Sequence, residues 1–399
     1  MTGGQRQAHP RRAPQRQVLP DLARGVALLG IVVVNAPILG ISALGYDDAS
    51  VATATDRITA FAVTMLAQGK FYLLFSFLFG YSTVFLFTDD GALNRRRARR
   101  RLVALLAIGI AHLVFFFIGD ILVSYALLGF GLLLLAERSN RTLWLTASLV
   151  GLASAGWLIG LAAVSLTISA PAAAAPVLAY DTAMADGGFL DQARTRLALL
   201  PWVLASLSLQ WGYVFAAFCL GLLAARRGLL TTPHRRWFQR AAVIGLGVGL
   251  PLQFATTWLV LAPGRPVGVS ADGAAVAASA VGVLLSPVLT LGYLGLLGLL
   301  CERSWRPLHL LRPAGQASLT VYLGESILLT AAFSSWGLGL FGRLGAGAVT
   351  ALAIAAWAVL AVLMVGWLRT RDRGPVELLI ARWVNRPPRR SGAWGAPTG

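Results

Sequence analysis

Side chains that can accept or donate a proton are rare inside the apolar runs of this sequence. His112 lies ten residues into the run that starts at Leu102, which is about 15 Å along a helix. Glu325 lies inside another apolar run, in the segment TVYLGES, and Tyr322 precedes it by about one helical turn. Histidine titrates near neutral pH, so His112 is suited to general acid or base chemistry. Ionisable groups within a bilayer are costly and usually mark a function.

The same residues also fit structural roles, and the sequence leaves both interpretations open. His112 could bond a neighbouring backbone carbonyl, and Glu325 could form a hydrogen bond between helices. Asp120 follows Gly119 at a predicted turn, where aspartate commonly closes the turn or caps a helix. It lies eight residues after His112, about 12 Å along a helix. A straight helix would therefore keep Asp120 from orienting the His112 ring.

The elements that must position His112 are two short membrane crossings. The segment 102–136 is apolar and is flanked by arginines on both sides. It is longer than the roughly 20 residues of one crossing, and Gly119-Asp120 is the natural turn between two crossings. Both groups of arginines then face the same side of the membrane, which the usual excess of arginine in cytoplasmic segments identifies as the cytoplasm.

The composition excludes an ordinary soluble domain. The chain of 399 residues is 57% hydrophobic and 13% charged, with a mean hydropathy of +0.71, which is typical of polytopic membrane proteins. Of the 34 lysines and arginines, 28 lie in the predicted inner segments and six in the outer ones. The net charge of +18 therefore reflects topology rather than nucleic-acid binding. Cys219 and Cys301 predict neither a disulfide framework nor a metal site.

We predict an all-α polytopic membrane protein with about ten transmembrane helices and both termini in the cytoplasm. Residues 1–20 form a disordered basic cytoplasmic tail, 21–368 the ten-span membrane domain, and 369–399 a cytoplasmic tail with a short surface helix. The predicted spans are 21–44, 71–87, two within 102–136, 143–168, 202–225, 241–261, 274–300, 318–333 and 346–368. The segment 55–66 is predicted to lie as a helix along the membrane interface, and 189–200 as a surface helix.

Five stretches of the sequence together resemble a known family. They are LPDLARGVALLGIVVVNA, GKFYLLFSFLFGYS, RRRLVALLAIGIAHLVFFFIGDILVSYALLG, PAGQASLTVYLGESIL and GPVELLIARWV. Their order and their spread over about residues 18–384 resemble the YeiB-like bacterial membrane proteins, domain of unknown function 418. That family is more distantly similar to the transmembrane acyltransferases. These share a ten-helix core and move an acyl group from cytoplasmic acyl-CoA to an acceptor beyond the membrane.

The acyltransferase resemblance implies roles for particular residues. In the sugar O-acyltransferases the first span carries an arginine and, eleven residues later, a histidine; here Arg24 is followed at that spacing by Asn35. Asparagine forms hydrogen bonds but does not serve as a base near neutral pH, so His112 would supply the base from another helix. Asn35 and Tyr322 would then position the thioester or stabilise the developing oxyanion, and Glu325 is the next candidate for the base.

The leading hypothesis is a plasma-membrane acyltransferase with acyl-CoA as the donor substrate and no metal. Arg24, Arg99 and Arg100 would hold the CoA phosphates, and the acceptor would be an envelope glycan, a lipid or a secreted small molecule. A proton-coupled transporter of a small molecule, with His112 and Glu325 as the proton relay, is the alternative. A non-catalytic partner in envelope assembly is a third.

Overall fold

The computed structural model describes residues 18–88, 92–167, 175–231, 234–268, 271–303 and 311–385, which form helices joined by short turns. Most of the predicted tail 1–20, and residues 386–399 of the tail predicted at the other terminus, lie outside these ranges. The helices are α1 (Val18–Gly40), α2 (Ala54–Leu66), α3 (Lys70–Ser82), α4 (Arg95–Phe115), α5 (Leu122–Leu135), α6 (Asn140–Ser165), α7 (Ala175–Asp186), α8 (Phe189–Ala198), α9 (Leu200–Arg226), α10 (Arg235–Leu261), α11 (Gly273–Glu302), α12 (Arg312–Gln316), α13 (Ser318–Phe333), α14 (Ala346–Trp367) and α15 (Pro375–Val384).

Six segments of the described residues are long and apolar enough to cross a membrane. They are Val18–Gly40, Ala54–Leu86, Asn140–Ser165, Arg235–Leu261, Gly273–Glu302 and Ala346–Trp367. Helix α9 adds a seventh when its two halves, Leu200–Ser208 and Gln210–Arg226, are counted as one bent span, and α5 and α13 are apolar but shorter. These segments confirm the all-α membrane fold. The number ten and the cytoplasmic termini stay predictions.

Large apolar side chains cover the outward faces of the long helices. On α6, Leu149, Leu152 and Trp157 are 66%, 70% and 58% exposed, and Val243 on α10 and Val362 on α14 are exposed to a similar degree. Apolar surface of this extent is unusual for a protein in water and indicates contact with lipid. The bundle therefore has a lipid bilayer as its surroundings.

The segment predicted to lie along the membrane interface falls within a candidate span. Helix α2 is continuous in direction with α3, and the two are interrupted only at residues 67–69, within the candidate span Ala54–Leu86. Gly69 has a φ of +85°, a backbone conformation that glycine adopts at little cost. Helix α2 packs against α10 and α14, and its position along the membrane interface stays a prediction.

The run 102–136 forms the predicted hairpin, but its tip is buried. The Asn94 side chain accepts a hydrogen bond from the Arg97 backbone N–H at 3.0 Å and so caps the start of α4. Helix α5 has 14 residues and is about 21 Å long, which is short of the roughly 30 Å hydrocarbon core. Between the two helices, Phe117 and Asp120 are completely buried. Non-helical backbone inside a membrane bundle is tolerated where protein surrounds it, as it does at this tip.

The first turns of α1, helix α12 and helix α15 converge at the predicted cytoplasmic end. Asp21 lies in the first turn of α1 rather than at its cap, and its carboxylate accepts hydrogen bonds from Arg24 at 3.2 Å and Gln316 at 3.3 Å. A Cβ atom at Gly315 would overlap the Asp21 carbonyl group, so α12 packs directly on the α1 backbone. Three of the five family-like stretches therefore meet at this end of the bundle.

Candidate functional site

His112 and Asp120 form a buried pair at the centre of the bundle. Helix α4 ends at Phe115, and the chain folds back so that Asp120 Oδ2 lies 2.7 Å from His112 Nδ1. His112 is 2% exposed and Asp120 is fully buried. The assumption of a straight helix, which separated these two residues by about 12 Å, is therefore wrong.

Asp120 fixes both the orientation of the imidazole and the start of the next helix. Its Oδ1 accepts a hydrogen bond from the Val123 backbone N–H at 2.9 Å, at the first turn of α5. A carboxylate only accepts hydrogen bonds, so beside an ionised Asp120 a neutral His112 ring carries its hydrogen on Nδ1, and Nε2 is then the basic atom. The same carboxyl group thus caps α5, as predicted, and orients the His112 ring, which the sequence analysis did not predict.

Tyr322 and Glu325 on α13 complete the cluster. The Tyr322 hydroxyl accepts a hydrogen bond from the Ile121 backbone N–H at 3.2 Å and lies 3.5 Å from Asp120 Oδ2. The Tyr322 and His112 rings have centroids 5.1 Å apart. Glu325 follows three residues later on the helix and is 2% exposed. The structure therefore brings Tyr322 to the His112–Asp120 pair and places Glu325 beside Tyr322 on the same helix.

Two buried polar atoms of this cluster have no hydrogen-bond partner among the described residues. They are His112 Nε2 and Glu325 Oε1. Buried polar groups are nearly always satisfied, and exceptions occur where function requires a free atom. An imidazole whose Nδ1 is held by a carboxylate and whose Nε2 is free has the arrangement of a general base.

The tip of the hairpin is held by two residues that the sequence analysis did not assign to the site. Arg196 on α8 is 1% exposed and donates to the Phe115 carbonyl at 3.1 Å, at the end of α4. The Thr330 hydroxyl donates to the Phe116 carbonyl at 3.0 Å. Terminal carbonyls of a helix need such partners. Arg196 could have been noticed in the sequence, because it lies in a predicted outer segment, where arginine is uncommon.

Helix α13 is positioned by the tail. Glu377 on α15 accepts hydrogen bonds from the Leu319 backbone N–H at 2.7 Å and from the Thr320 hydroxyl at 2.6 Å. A carboxylate at the N-terminus of a helix satisfies free N–H groups and interacts well with the helix dipole. The stretches GPVELLIARWV and PAGQASLTVYLGESIL are therefore in contact, and the contact fixes the helix that carries Tyr322 and Glu325.

Asn35 lies apart from the hydrogen bonds of the cluster. It is half-buried near the far end of α1, and its side chain forms no hydrogen bond with a described residue. Helix α1 packs against α13, so Asn35 belongs to a helix adjacent to the site. The structure does not join it to His112.

The three predicted phosphate-binding arginines lie at the predicted cytoplasmic end. Arg24 contacts Asp21, Arg100 donates to the Val384 carbonyl at 3.3 Å, and Arg99 is exposed. Along α4, Arg100 precedes His112 by 12 residues, which is about 18 Å. Arg100 and the candidate base therefore lie at different heights along α4.

The helical membrane bundle with a buried His–Asp pair has relatives over most of its length. Uncharacterized protein YxaH of Bacillus subtilis (strain 168) is 30% identical over 391 residues, which is 90% of this chain and 92% of that relative. Uncharacterized protein YeiB of Escherichia coli (strain K12) is 28% identical over 385 residues, 92% of this chain and 95% of that relative. The family model described as "Protein of unknown function (DUF418)" matches residues 224–387. No solved structure matches the chain.

The chain therefore belongs to the DUF418 family, which confirms the resemblance seen in the five stretches. The region matched by the family model contains α13 and α15, and so includes Tyr322, Glu325 and Glu377. His112 and Asp120 lie outside that region. The alignments to the two relatives are longer and cover about nine-tenths of the chain.

Proposed function

We propose that this protein is a transmembrane acyltransferase. It moves an acyl group from cytoplasmic acyl-CoA to a hydroxyl or amine of a cell-envelope or secreted acceptor at the bacterial plasma membrane. The observation that supports the proposal most directly is the His112–Asp120 pair, with Nδ1 bound at 2.7 Å and Nε2 buried and without a partner among the described residues. That is the arrangement an acceptor nucleophile requires for its activation.

In the proposed reaction His112 Nε2 removes the proton from the acceptor as the acceptor oxygen or nitrogen attacks the thioester carbonyl carbon. A new C–O or C–N bond forms, the C–S bond breaks, and the CoA thiolate leaves and takes up the proton from the imidazolium. Asp120 stabilises the imidazolium, and Tyr322 holds Asp120. Asn35, whose amide forms no hydrogen bond to a described residue, is the proposed donor to the oxyanion.

Arg24, Arg99 and Arg100 are the proposed contacts of the CoA phosphates. Their distance from His112 suits a donor whose phosphates stay at the cytoplasmic surface while its long arm carries the thioester into the bundle. Because His112 and Glu325 are each 2% exposed, both substrates enter only when the helices around the cluster separate.

The test is acyl transfer by the purified protein in liposomes, with radiolabelled acetyl-CoA as the donor and an envelope extract as the acceptor. Loss of a general base typically lowers the rate 100- to 10,000-fold. We expect His112→Gln, which keeps hydrogen bonding without titration, to fail as badly as His112→Ala. His234→Gln, at the start of α10, is the matched control and should retain full activity. Activity of His112→Gln close to that of the unmodified protein would contradict the proposal.

The contact proposed for Arg24 has its own test. A lysine keeps the charge but loses the bidentate geometry that suits phosphate. We expect Arg24→Lys to weaken the binding of acyl-CoA by about tenfold, measured by equilibrium binding to the protein in detergent. Arg138→Lys, an exposed arginine of another inner segment, is the control. Equal affinity in the two variants would remove Arg24 from the donor site.

A proton-coupled transporter is the second candidate, and a specific observation favours it. His112 Nε2 and Glu325 Oε1 are both buried in a membrane bundle without partners among the described residues, as in a proton relay. Transport should then depend on pH in the unmodified protein and lose that dependence in His112→Gln. Recovery of an acylated product from the liposome assay would exclude transport as the sole activity.

A further inference from the structure

Lys70 is the single lysine of a chain whose other 33 basic residues are arginines. The predicted topology places Lys70 among the six outer basic residues, next to the start of a predicted span. The structure instead buries it, with 1% exposure, at the interruption between α2 and α3 inside the candidate span Ala54–Leu86. A chain that uses arginine everywhere else has thus placed its one ammonium group within the bundle.

No described acid lies beside Lys70 to balance a positive charge. Its Nζ donates one hydrogen bond, to the Thr64 carbonyl at 3.0 Å, and in the described ranges it forms no ion pair with Asp or Glu within 4.0 Å. An ammonium group has three donors. Burial of a charge is costly unless the charge is paired and its hydrogen bonds are made.

Polar side chains surround a small cavity on the free side of Lys70. The cavity is about 20 Å³, enough for one or two water-sized groups. Its lining includes Gln68, Gln253, Thr256, Thr257 and Ser279, and contains neither Asp nor Glu. Gln253 is 1% exposed and donates to the Gly282 carbonyl at 2.8 Å, which fixes its amide at the cavity wall. Gln68 is exposed and marks the opening.

We propose that the cavity beside Lys70 binds a compact monoanion, either a free halide or the carboxylate group of an organic molecule. The lining contains no carboxylate, and the Lys70 ammonium and the amide N–H groups of Gln68 and Gln253 are donors for a negative charge. The Thr256 and Ser279 hydroxyls donate to backbone carbonyls. A cavity of about 20 Å³ suits a small anion better than a phosphate ester. Lysine suits the site better than arginine because its ammonium is a compact point charge, whereas the planar guanidinium would fill the cavity.

The structural alternative is that Lys70 only caps α2. Thr64 is one of the last four residues of α2, whose carbonyls lack partners within the helix, and a cation there is favourable. In that interpretation Lys70 uses one of its three ammonium donors, and Gln253 only joins α10 to α11 through the Gly282 carbonyl. It also predicts that no anion changes the environment of Lys70, which separates the two interpretations. The proposal is independent of acyl transfer.

The experiment uses the unmodified protein in detergent, labelled with ¹³C and ¹⁵N in lysine only. Because the chain has one lysine, one side-chain signal is observed. Chloride and acetate are added in separate titrations. In each, the added anion replaces isethionate, an anion larger than either, so that the ionic strength stays constant. We expect a saturable shift of the Lys70 signal with chloride, acetate or both. Chloride alone would identify a halide site, and acetate alone a carboxylate site.

A shift that is absent, or that is equal in isethionate, would overturn the proposal. The variant Gln253→Leu removes the buried amide and should weaken binding at least tenfold. Val248→Ala, on the exposed face of the same helix, should leave binding unchanged. If Gln253→Leu does not fold, the titration of the unmodified protein remains decisive.

Discussion

At the scale of single residues, the central feature is one carboxyl group with two functions. Asp120 Oδ1 binds the start of α5 and Asp120 Oδ2 binds His112. Removal of the carboxylate therefore affects both the imidazole and the helix. A buried donor that loses its partner costs about 1–3 kcal/mol, and a proton on the wrong nitrogen of the ring removes the free base.

The first prediction concerns the tautomer of His112. In the unmodified protein we expect the neutral ring to carry its hydrogen on Nδ1, because the carboxylate of Asp120 only accepts. In Asp120→Asn the amide can also donate to the ring, and a mixture of tautomers should appear. Nuclear magnetic resonance of ¹⁵N-histidine distinguishes the two nitrogens. The same variant should lower acyl transfer by about 100- to 10,000-fold.

A control variant and a measurement on the unmodified protein test this prediction further. Asp191→Asn changes an exposed carboxylate on α8 and should leave the His112 signals as they are. An Nε2-protonated ring in the unmodified protein would mean that Asp120 does not hold Nδ1 in the membrane. Such a result would contradict the role assigned to Asp120.

At the scale of elements, the hairpin of α4 and α5 depends on a close approach at Gly109. A Cβ atom there would lie 2.8 Å from the Val123 backbone nitrogen, 2.9 Å from Leu122 Cβ and 3.1 Å from Asp120 Oδ1. The contacts with the backbone nitrogen and Cβ are shorter than ordinary packing allows. The absence of a side chain at Gly109 is what lets the tip return to His112.

The second prediction follows from that approach. Gly109→Ala should push the tip away from α4 and destabilise the protein by about 1–3 kcal/mol, as overpacking commonly does. Gly156→Ala is the matched control, because no atom lies within 4 Å of a Cβ at that position on α6. There the higher helix propensity of alanine should leave stability equal or slightly increased. Thermal unfolding in detergent measures both.

The tautomer signal separates two ways in which Gly109→Ala could act. If the tip moves, the Nδ1–H signal of His112 should weaken together with stability. A variant with normal unfolding temperature and an unchanged His112 signal would show that the approach at Gly109 does not position Asp120.

At the scale of the whole molecule, the family-like stretches are distant in sequence but adjacent in space. The stretch beginning LPDLARG contacts PAGQAS through Asp21 and Gln316, and GPVE contacts the start of α13 through Glu377. Ser76, in the stretch on α3, shares a hydrogen bond of 2.7 Å with Tyr125 on α5. Two of these contacts hold α5 and α13, the helices next to the candidate site.

The third prediction concerns orientation in the membrane. In a variant without Cys219 and Cys301, single cysteines at Asn94 or Arg371 should resist an impermeant thiol reagent in intact cells. Cysteine at Asp186, an exposed residue of α7, should react. The physical reason is the excess of arginine in the segments that hold Asn94 and Arg371. Labelling of Asn94→Cys from outside the cell would reverse the predicted orientation.

The sequence by itself determined the class of protein, the family and most helix positions. Hydropathy and the placement of arginine are properties of short segments, so they can be read from the sequence without knowledge of the fold. The segment 318–333 was predicted with the bounds that α13 has, and 346–368 differs from α14 by one residue. His112, Tyr322 and Glu325 were recognisable because polar groups in apolar runs are rare.

Only the tertiary structure decided which of these groups meet. Asp120 reaches His112 because α4 ends at Phe115, and that end is fixed by contacts from Arg196 and Thr330 on distant helices. Lys70 is buried at the interruption between α2 and α3, where its Nζ donates to the Thr64 carbonyl. Local sequence sets the tendency of a segment to be helical, whereas the point where a helix stops inside a bundle depends on partners for its free carbonyls. Those partners come from elsewhere in the chain.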